Sequence, residues 1–525
     1  MAGIHTSNSL ELTFLAVMRI INLDPTESEA LLTLILALPE SRYLEFKRVS
    51  REMVNKALKT ICAFANSEGG SLVLGIADLK DFQGNDRLFG IEENPEAVDE
   101  LQRLVLSKFQ PAIASISMRR LSCALHNGAA KGQKGHLILL SVPRSNQVHS
   151  LVGGGTFERL DVSNTPMSAA NITELSYRRG VRSATSEPVA VNLSLLQTQG
   201  WQRFVSARGP LTGTFAEQLL KIGLADEVEG AIQPRRAAVL LFADEPGSLL
   251  AAHESRADVR VMVYDGKHVI SGSSPNFRKQ PKTVRGPLID QINATVNLVM
   301  DILADGIVHS GSGFKTLHAY PERVVKEAIV NAIIHRDYRL NRDIFIRVFD
   351  DRIEVESPGV FPGNITPSNI AKMGTRARNP LLSANLREFP VAPNIDAGEG
   401  VKMMFSEMAQ AELYPPQYRQ NIDAAVESVT VTLFNAKRPT AWDEVSDWLD
   451  RNGSISNGDV VRIAKLDTLK ASKLLTSWRD QGLLIQVPGR AKRNMAYSKP
   501  NGGQAELSLL SEVEDNNASR DKKPI

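Results

Sequence analysis

Glu40, Glu45 and Asp78 lie in and around the segments ESRYLEFKR, ICAFANSEGG and SLVLGIAD, which sets three carboxylates about one extended stretch, a helix and a second strand. Carboxylate oxygens are ligands for hard divalent cations, and a cation held by them can polarise a phosphodiester and generate hydroxide. The same residues also read without chemistry, with Glu45 and Lys47 on a solvated strand face and Asp78 capping a turn. Glu327 and Asn331 stand four residues apart in PERVVKEAIVNAIIHRD, so they project from one face of a helix. There the amide oxygen can ligate magnesium while the carboxylate orients a water near the γ-phosphate of ATP. A solvated Glu beside an Asn is the ordinary alternative.

These residues need elements to position them. Tyr43 to Arg48 alternates, with Leu44 and Phe46 on one face and Tyr43, Glu45 and Lys47 on the other, so a half-buried strand points Glu45 away from the core. A spacing of five keeps Glu40 and Glu45 off one face of any single regular element, and Pro39 leaves Glu40 in a loop free to curl back. Arg51 to Asn66 carries Val54, Ala57, Leu58, Ile61 and Ala65 at helical spacing and stops at Ser67-Glu68-Gly69-Gly70. A buried strand, Ser71 to Ala77, then presents Asp78. Farther on, Pro321 starts a helix with Val324, Val325, Ala328, Ile329 and Ala332 as its buried stripe. A strand at Asp343 to Phe349, a hairpin at Asp350-Asp351, RIEVESPG at 352–359, RNPLL at 378–382 and AGEGV at 397–401 follow, and Val429 to Phe434 is a closing strand.

Residues 40–180 resemble the Schlafen AlbA-2 domain found in bacterial regulators and Schlafen proteins. The resemblance rests on the segments above, on Ile138 to Pro143 leading to His149, and on Thr156-Phe157-Glu158-Arg159. Some members are metal-dependent RNA nucleases with two glutamates five apart and a later aspartate. The resemblance therefore implies Glu40, Glu45 and Asp78 as ligands of magnesium or manganese, Lys47 on a phosphate and Arg159 on nucleic acid; other members are read as nucleic-acid binders without chemistry. The later set is similar to the GHKL ATPase domain of gyrase, histidine kinases and MutL, in the divergent version labelled RecG-like that follows AlbA-2 domains. That likeness implies Glu327 as the catalytic carboxylate, Asn331 on magnesium, Glu356 to Gly359 beside adenine, and Gly398 and Gly400 as a lid on the phosphates. Glu356 departs from the aspartate that the superfamily has there. No GxxxxGK[ST] loop occurs, which argues against a helicase motor.

The C-terminal region reads as a winged helix, with helices near Ala441 to Asp450, Asn457 to Lys465 and Thr468 to Gln481, and strands near Leu483 to Val487 and Met495 to Ser498. In the third helix Ala471, Leu474, Leu475 and Trp478 form the packing stripe and leave Thr468, Lys470 and Lys473 outward. From Asn452 to Pro500 nine Lys and Arg, including Arg490, Lys492 and Arg493 in the expected wing, face three acids, a local excess suited to backbone phosphates. A protein-contact or dimer module is the alternative.

The 525 residues predict an α+β multidomain chain: a helical extension at 1–38, the AlbA-2 domain at 39–180, a linker at 181–215, a middle region and GHKL-like domain at 216–436, the winged helix at 437–500 and a disordered tail at 501–525. In the middle region a helix near Leu219 precedes an apolar strand, Ala237 to Phe242. Net charge of +2 makes any nucleic-acid surface local. Two cysteines, Cys62 and Cys123, form no metal spacing, and neither a leader nor a membrane-length apolar run is visible, so a cytoplasmic location is expected. The combined expectation is a nucleotide-responsive DNA-binding transcriptional regulator; the alternative is an ATP-gated, metal-dependent RNA endonuclease, with a role in phage defence.

Overall fold

The computed structural model describes residues 28–500 apart from 271–273, 311–312, 374–375, 394–398, 423–424, 440 and 488–494. The chain divides into two compact units, residues 1–181 with 441–525, and residues 182–440.

In the first unit, α1 (Ser28–Ala37), β1 (Leu44–Lys47), α2 (Arg51–Asn66), β2 (Gly70–Leu74), α3 (Pro95–Ser107), β3 (Ser117–Ala124) and β4 (Lys134–Val142) build a four-stranded sheet of order β1-β2-β4-β3. β1 and β2 run parallel, because α2 supplies the crossover that parallel neighbours require, and the other pairs are antiparallel. The side chain of Ser50 caps α2 by accepting from Met53 N, and the helix stops before Gly69, whose φ is +82°. A Cβ at Gly69 would stand 2.8 Å from Arg144 N, so the close approach of two backbones there requires glycine. Leu31 and Ile35 of α1 pack with Leu44, Phe46, Val73 and Leu139 on one sheet face, while α2 and α3 pack with Leu72, Leu74, Ile138 and Leu140 on the other.

That double cover corrects the reading of Glu45. The alternation along β1 has the expected phase, but Glu45 lies opposite Leu72 on the α2 side and is only 5 % exposed. Period-two alternation assigns a residue to a face without saying whether that face meets water.

The first unit also carries a hairpin of β5 (Phe157–Leu160) and β6 (Ser163–Pro166). In the second unit, α4 (Gln199–Arg208) and α5 (Arg236–Phe242) precede a six-stranded sheet built from β7 (Val259–Tyr264), β8 (Phe277–Val284), β9 (Ile344–Val348), β10 (Arg352–Pro358), β11 (Gln417–Asn421) and β12 (Ser428–Phe434), in the order β8-β7-β9-β10-β12-β11. Helices α6 (Leu288–Ile302), α7 (Glu322–Ile334) and α8 (Gly400–Gln410) contribute to one large core with Val261, Ile346, Val355 and Leu433.

Two expectations fail in this unit. The run from Ala237 to Phe242 is helical, not extended; every residue of α5 is buried, and a wholly apolar run carries no periodicity to separate helix from strand. Residues 181–215 are not a linker: Val189, Leu196, Trp201 and Phe204 enter the core, where the Trp201 and Phe242 rings meet edge to face at 5.0 Å.

Residues from 441 onward form α9 (Ala441–Asn452), β13 (Ile455–Ser456), α10 (Asn457–Ala464), α11 (Thr468–Asp480), β14 (Ile485–Gln486) and β15 (Ala496–Ser498), with a sheet of order β13-β15-β14. Ala471, Leu475 and Trp478 of α11 are buried and Leu474 is half-buried, with Trp478 edge-on to Trp442 at 5.1 Å.

Because Phe204 is fully buried, its replacement by Ala should lower stability by about 3–5 kcal/mol. Urea unfolding reads this as a lower midpoint; an unchanged midpoint would mean that the segment does not belong to the core.

Candidate functional site

Helix α7 follows Pro321 at its N-cap and buries Val324, Val325, Ala328, Ile329 and Ala332. Glu327 and Asn331 are only partly covered and line a cavity of about 450 Å³, within the size range of small-molecule sites. Asn331 Nδ2 donates to Glu327 Oε1 at 2.9 Å, which leaves the amide oxygen to face a further partner. Burial raises the Glu327 pKa above the usual carboxylate range, against the hydrogen bond from Asn331. Arg323, Lys326 and Lys402 add positive charge to the lining, and Val355, Val431, Ile365, Ile370 and Met373 give it apolar walls.

Gly400 opens α8 against Glu327. A Cβ on Gly400 would fall 1.8 Å from Glu327 Oε1, so the helix N-terminus reaches this position only because the residue is glycine. First-turn amides of a helix lack intrahelical acceptors and favour anions. Gly398, the other expected lid glycine, lies outside the described residues.

The adenine-side expectation needs a correction. Along β10, Val355 and Ser357 line the cavity, whereas Glu356 faces the opposite side and pairs with Arg342 at 2.7 Å and Arg347 at 2.6 Å. Alternation in a strand puts neighbours on opposite faces, so the spacing that brings Ser357 to the cavity removes Glu356 from it. Gly359 does line the cavity, at φ +108°.

The C-terminal end of α7 is held by residues whose role was not evident from their sequence. Asn379 Nδ2 donates to Ile334 O at 2.8 Å and to Arg336 O at 2.7 Å. Ser357 Oγ donates to Ala332 O at 2.7 Å. Asp337, buried, accepts from Arg339 Nη2 at 2.7 Å and Arg378 Nη1 at 3.3 Å, and Arg378 also donates to Val360 O. Burial alone would raise the Asp337 pKa, but the hydrogen bond from Arg339 and the charge of Arg378 outweigh it and hold the carboxyl below its ordinary range. The polar run His335-Arg336-Asp337 directly after an apolar helix was the available signal.

In the first unit Glu45 is pinned between two cations. It forms an ion pair with Lys47, and Arg159 Nη2 of β5 approaches its Oε2 at 2.5 Å. Arg159 also donates to Ser41 O and Asn164 Oδ1, each at 2.9 Å, and is 2 % exposed. It is therefore a structural residue and not a nucleic-acid contact. Glu40 accepts from Phe46 N at 2.9 Å and lies 3.7 Å from Lys47 Nζ. Burial raises the Glu40 pKa, and the nearby charges of Glu45 and Asp78 add to the shift. The fold thus gathers Glu40 and Glu45, with Asp78 within electrostatic reach, around the Lys47 ammonium. Asp78 Oδ1 accepts from Lys80 N at 3.1 Å, a turn cap. Among the described residues, no three His, Cys, Asp or Glu side chains are grouped to hold a metal ion.

On α11, Thr468, Lys470 and Lys473 are exposed, and Lys470 Nζ lies 3.2 Å from Asp467 one turn earlier. Arg490, Lys492 and Arg493 lie outside the described residues. Among the described residues, no helix is long and apolar enough to cross a membrane.

Replacing Arg159 with Ala should leave Glu45 buried with Lys47 as its remaining partner and cost about 3–5 kcal/mol. Thermal melting of Arg159→Ala should show a large drop in Tm, and the pair Glu45→Gln/Arg159→Met should recover part of it; an unshifted single variant would remove Arg159 from its structural role.

Residues 40–168 match the family described as Schlafen, AlbA_2, and residues 341–433 the family described as putative ATP-dependent DNA helicase recG C-terminal. The second match starts after α7, so Glu327 and Asn331 precede it. No curated protein matches the chain. The crystal structure of the DIP2311 protein from Corynebacterium diphtheriae is similar at 19 % identity over 94 % of this chain and 99 % of that one, with a TM-score of 0.36, too low for any part of the fold to be inferred from it. The chain therefore carries a Schlafen AlbA-2 domain at 40–168 and a RecG C-terminal-type ATPase-like domain at 341–433.

Proposed function

We propose that this nucleic-acid-related, ATP-binding protein is a DNA-binding transcriptional regulator whose nucleotide cavity, beside α7, controls its hold on DNA. The observation that carries the reading is the cavity in which Glu327, Asn331 and Gly400 meet at one place. The donor set fits magnesium-ATP. Asn331 offers a neutral oxygen for magnesium, and Lys326, Arg323 and Lys402 oppose phosphate charge, with the first-turn amides of α8 beside them. ATP supplies the phosphoryl group; Glu327 is the carboxylate placed to take a proton from water.

DNA contact is assigned to residues 441–500, read as a winged helix. Three helices with a three-stranded sheet, and Thr468, Lys470 and Lys473 outward on the third helix, support it. The nuclease alternative is not preferred, because Lys47 and Arg159 already neutralise Glu45. A nucleic-acid role for the AlbA-2 domain is kept as binding.

Calorimetry on the full chain tests the nucleotide site. Asn331→Ala should weaken magnesium-dependent ATP binding by about tenfold or more. Glu327→Ala should spare binding and lower turnover by a factor of about 10²–10⁴. Since burial raises the Glu327 pKa, wild-type turnover should fall on acidification through a value above a glutamate's ordinary 4.5, where the carboxylate takes up its proton. Folded wild type that binds no ATP would end this reading.

Duplex binding followed by fluorescence anisotropy across salt concentrations tests the DNA contact. Lys470→Ala and Lys473→Ala should each relax sequence preference by about 1–3 kcal/mol at the bases they reach. Variants that bind every duplex like wild type would remove α11 from the interface.

A further inference from the structure

The loop that follows β4 brings a hydroxyl onto an imidazole. His149 is buried, and its Nδ1 stands 2.7 Å from Pro111 O; a carbonyl can only accept, so Nδ1 carries the proton. Nε2 is therefore an acceptor, and Ser145 Oγ donates to it at 2.6 Å. Ser145 is half-buried, and its Oγ also accepts from Gln147 N at 3.0 Å, which leaves one lone pair.

The main chains of both residues are clamped to the C-terminal end of α2. Asn66 donates through Nδ2 to His149 O and accepts through Oδ1 from His149 N, each at 2.8 Å. Ser145 N donates to Ala65 O at 3.0 Å, and Arg179 Nη1 donates to Ser145 O. A hydroxyl, a base within hydrogen-bond reach and a third group that orients the base are the parts of an activated serine. Burial outweighs the Pro111 hydrogen bond and, with the charge of Arg179, holds the His149 pKa below the ordinary histidine range, so the base is neutral at neutral pH.

The surroundings are cationic. Arg179 is pushed down to about 9, by burial first and then by the charges of Arg144 and Arg178, with Glu68 opposing them. Three guanidinium groups beside one carboxylate suit the charged oxygens of a phosphoryl group.

We propose that Ser145 is a nucleophile toward the phosphorus of a phosphate ester, with His149 as its base. The Oγ–P bond forms as the P–O bond to the alcohol breaks, and the hydroxyl proton passes to His149 Nε2 and on to the departing oxygen. The intervening imidazolium keeps its Nδ1 proton on Pro111 O. This chemistry is independent of the nucleotide cavity and of Glu40 and Glu45.

Incubating the full chain with dinitrophenyl phosphate, an activated ester, in the presence of a chelator tests it. Wild type should release about one equivalent of dinitrophenolate in a burst and, after acid quenching, carry a phosphoryl group on the Ser145 peptide by mass spectrometry. Ser145→Ala should lose the burst, His149→Gln should slow it by a factor of about 10²–10⁴, and urea-unfolded wild type should show none. Wild type without phosphoryl on Ser145 overturns the assignment, and so does a burst that Ser145→Ala retains. Folded His149→Gln that reacts at the wild-type rate overturns the role of His149. The wild-type mapping needs no variant to fold.

Discussion

The second unit depends on how the C-terminal end of α7 is held. A helix leaves its last carbonyls without intrahelical donors, and here side chains from distant segments supply them: Asn379 to Ile334 and Arg336, Ser357 to Ala332. Arg378, next to Asn379, reaches both Asp337 and Val360, so the segment after α7, the turn at Gly359 and the 378–379 segment are tied into one polar knot. Gly359 takes part by what it lacks, since a Cβ there would press to 2.8 Å from Asp337 Cβ. Fixing that end fixes the rotation of α7, and with it the direction in which Glu327 and Asn331 face.

The same logic recurs around Glu45. A carboxylate taken out of water is strongly disfavoured unless paired, and Lys47 and Arg159 provide the pairing from one strand and from a distant hairpin. Arg159 has its remaining contacts with Ser41 and Asn164, so the guanidinium ties the start of β1 to the β5–β6 hairpin. This is an arrangement that stabilises a domain, and it leaves Lys47 where a metal-centred reading would want a cation. Glu40 and Glu45 do meet beside Lys47, yet their charges are already answered by the protein itself.

The two clusters differ in what they leave open. Around Glu45 the polar groups are turned on one another. Around Glu327 the arrangement is incomplete: one hydrogen bond from Asn331, a helix N-terminus approaching at Gly400, and a cavity in front. That difference, more than the residue types, separates a binding site from a structural cluster, and it favours the cavity beside Glu327 as the place where a nucleotide binds.

Local pattern alone determined a good deal. The amphipathic stripes of α2, α7 and α11, the i and i+4 pairing of Glu327 with Asn331, the outward positions of Thr468, Lys470 and Lys473, and the family likeness of both domains were all legible, because period and short-range spacing are properties of neighbouring residues. Only the tertiary structure decided what each face meets. It buried Glu45 and Arg159, turned Glu356 away in favour of Ser357, drew Trp201 and Phe204 into a core and made a helix of Ala237 to Phe242. Those outcomes depend on partners more than a hundred residues away in some cases, such as Glu45 with Arg159, and no local period encodes which distant segment will cover a surface.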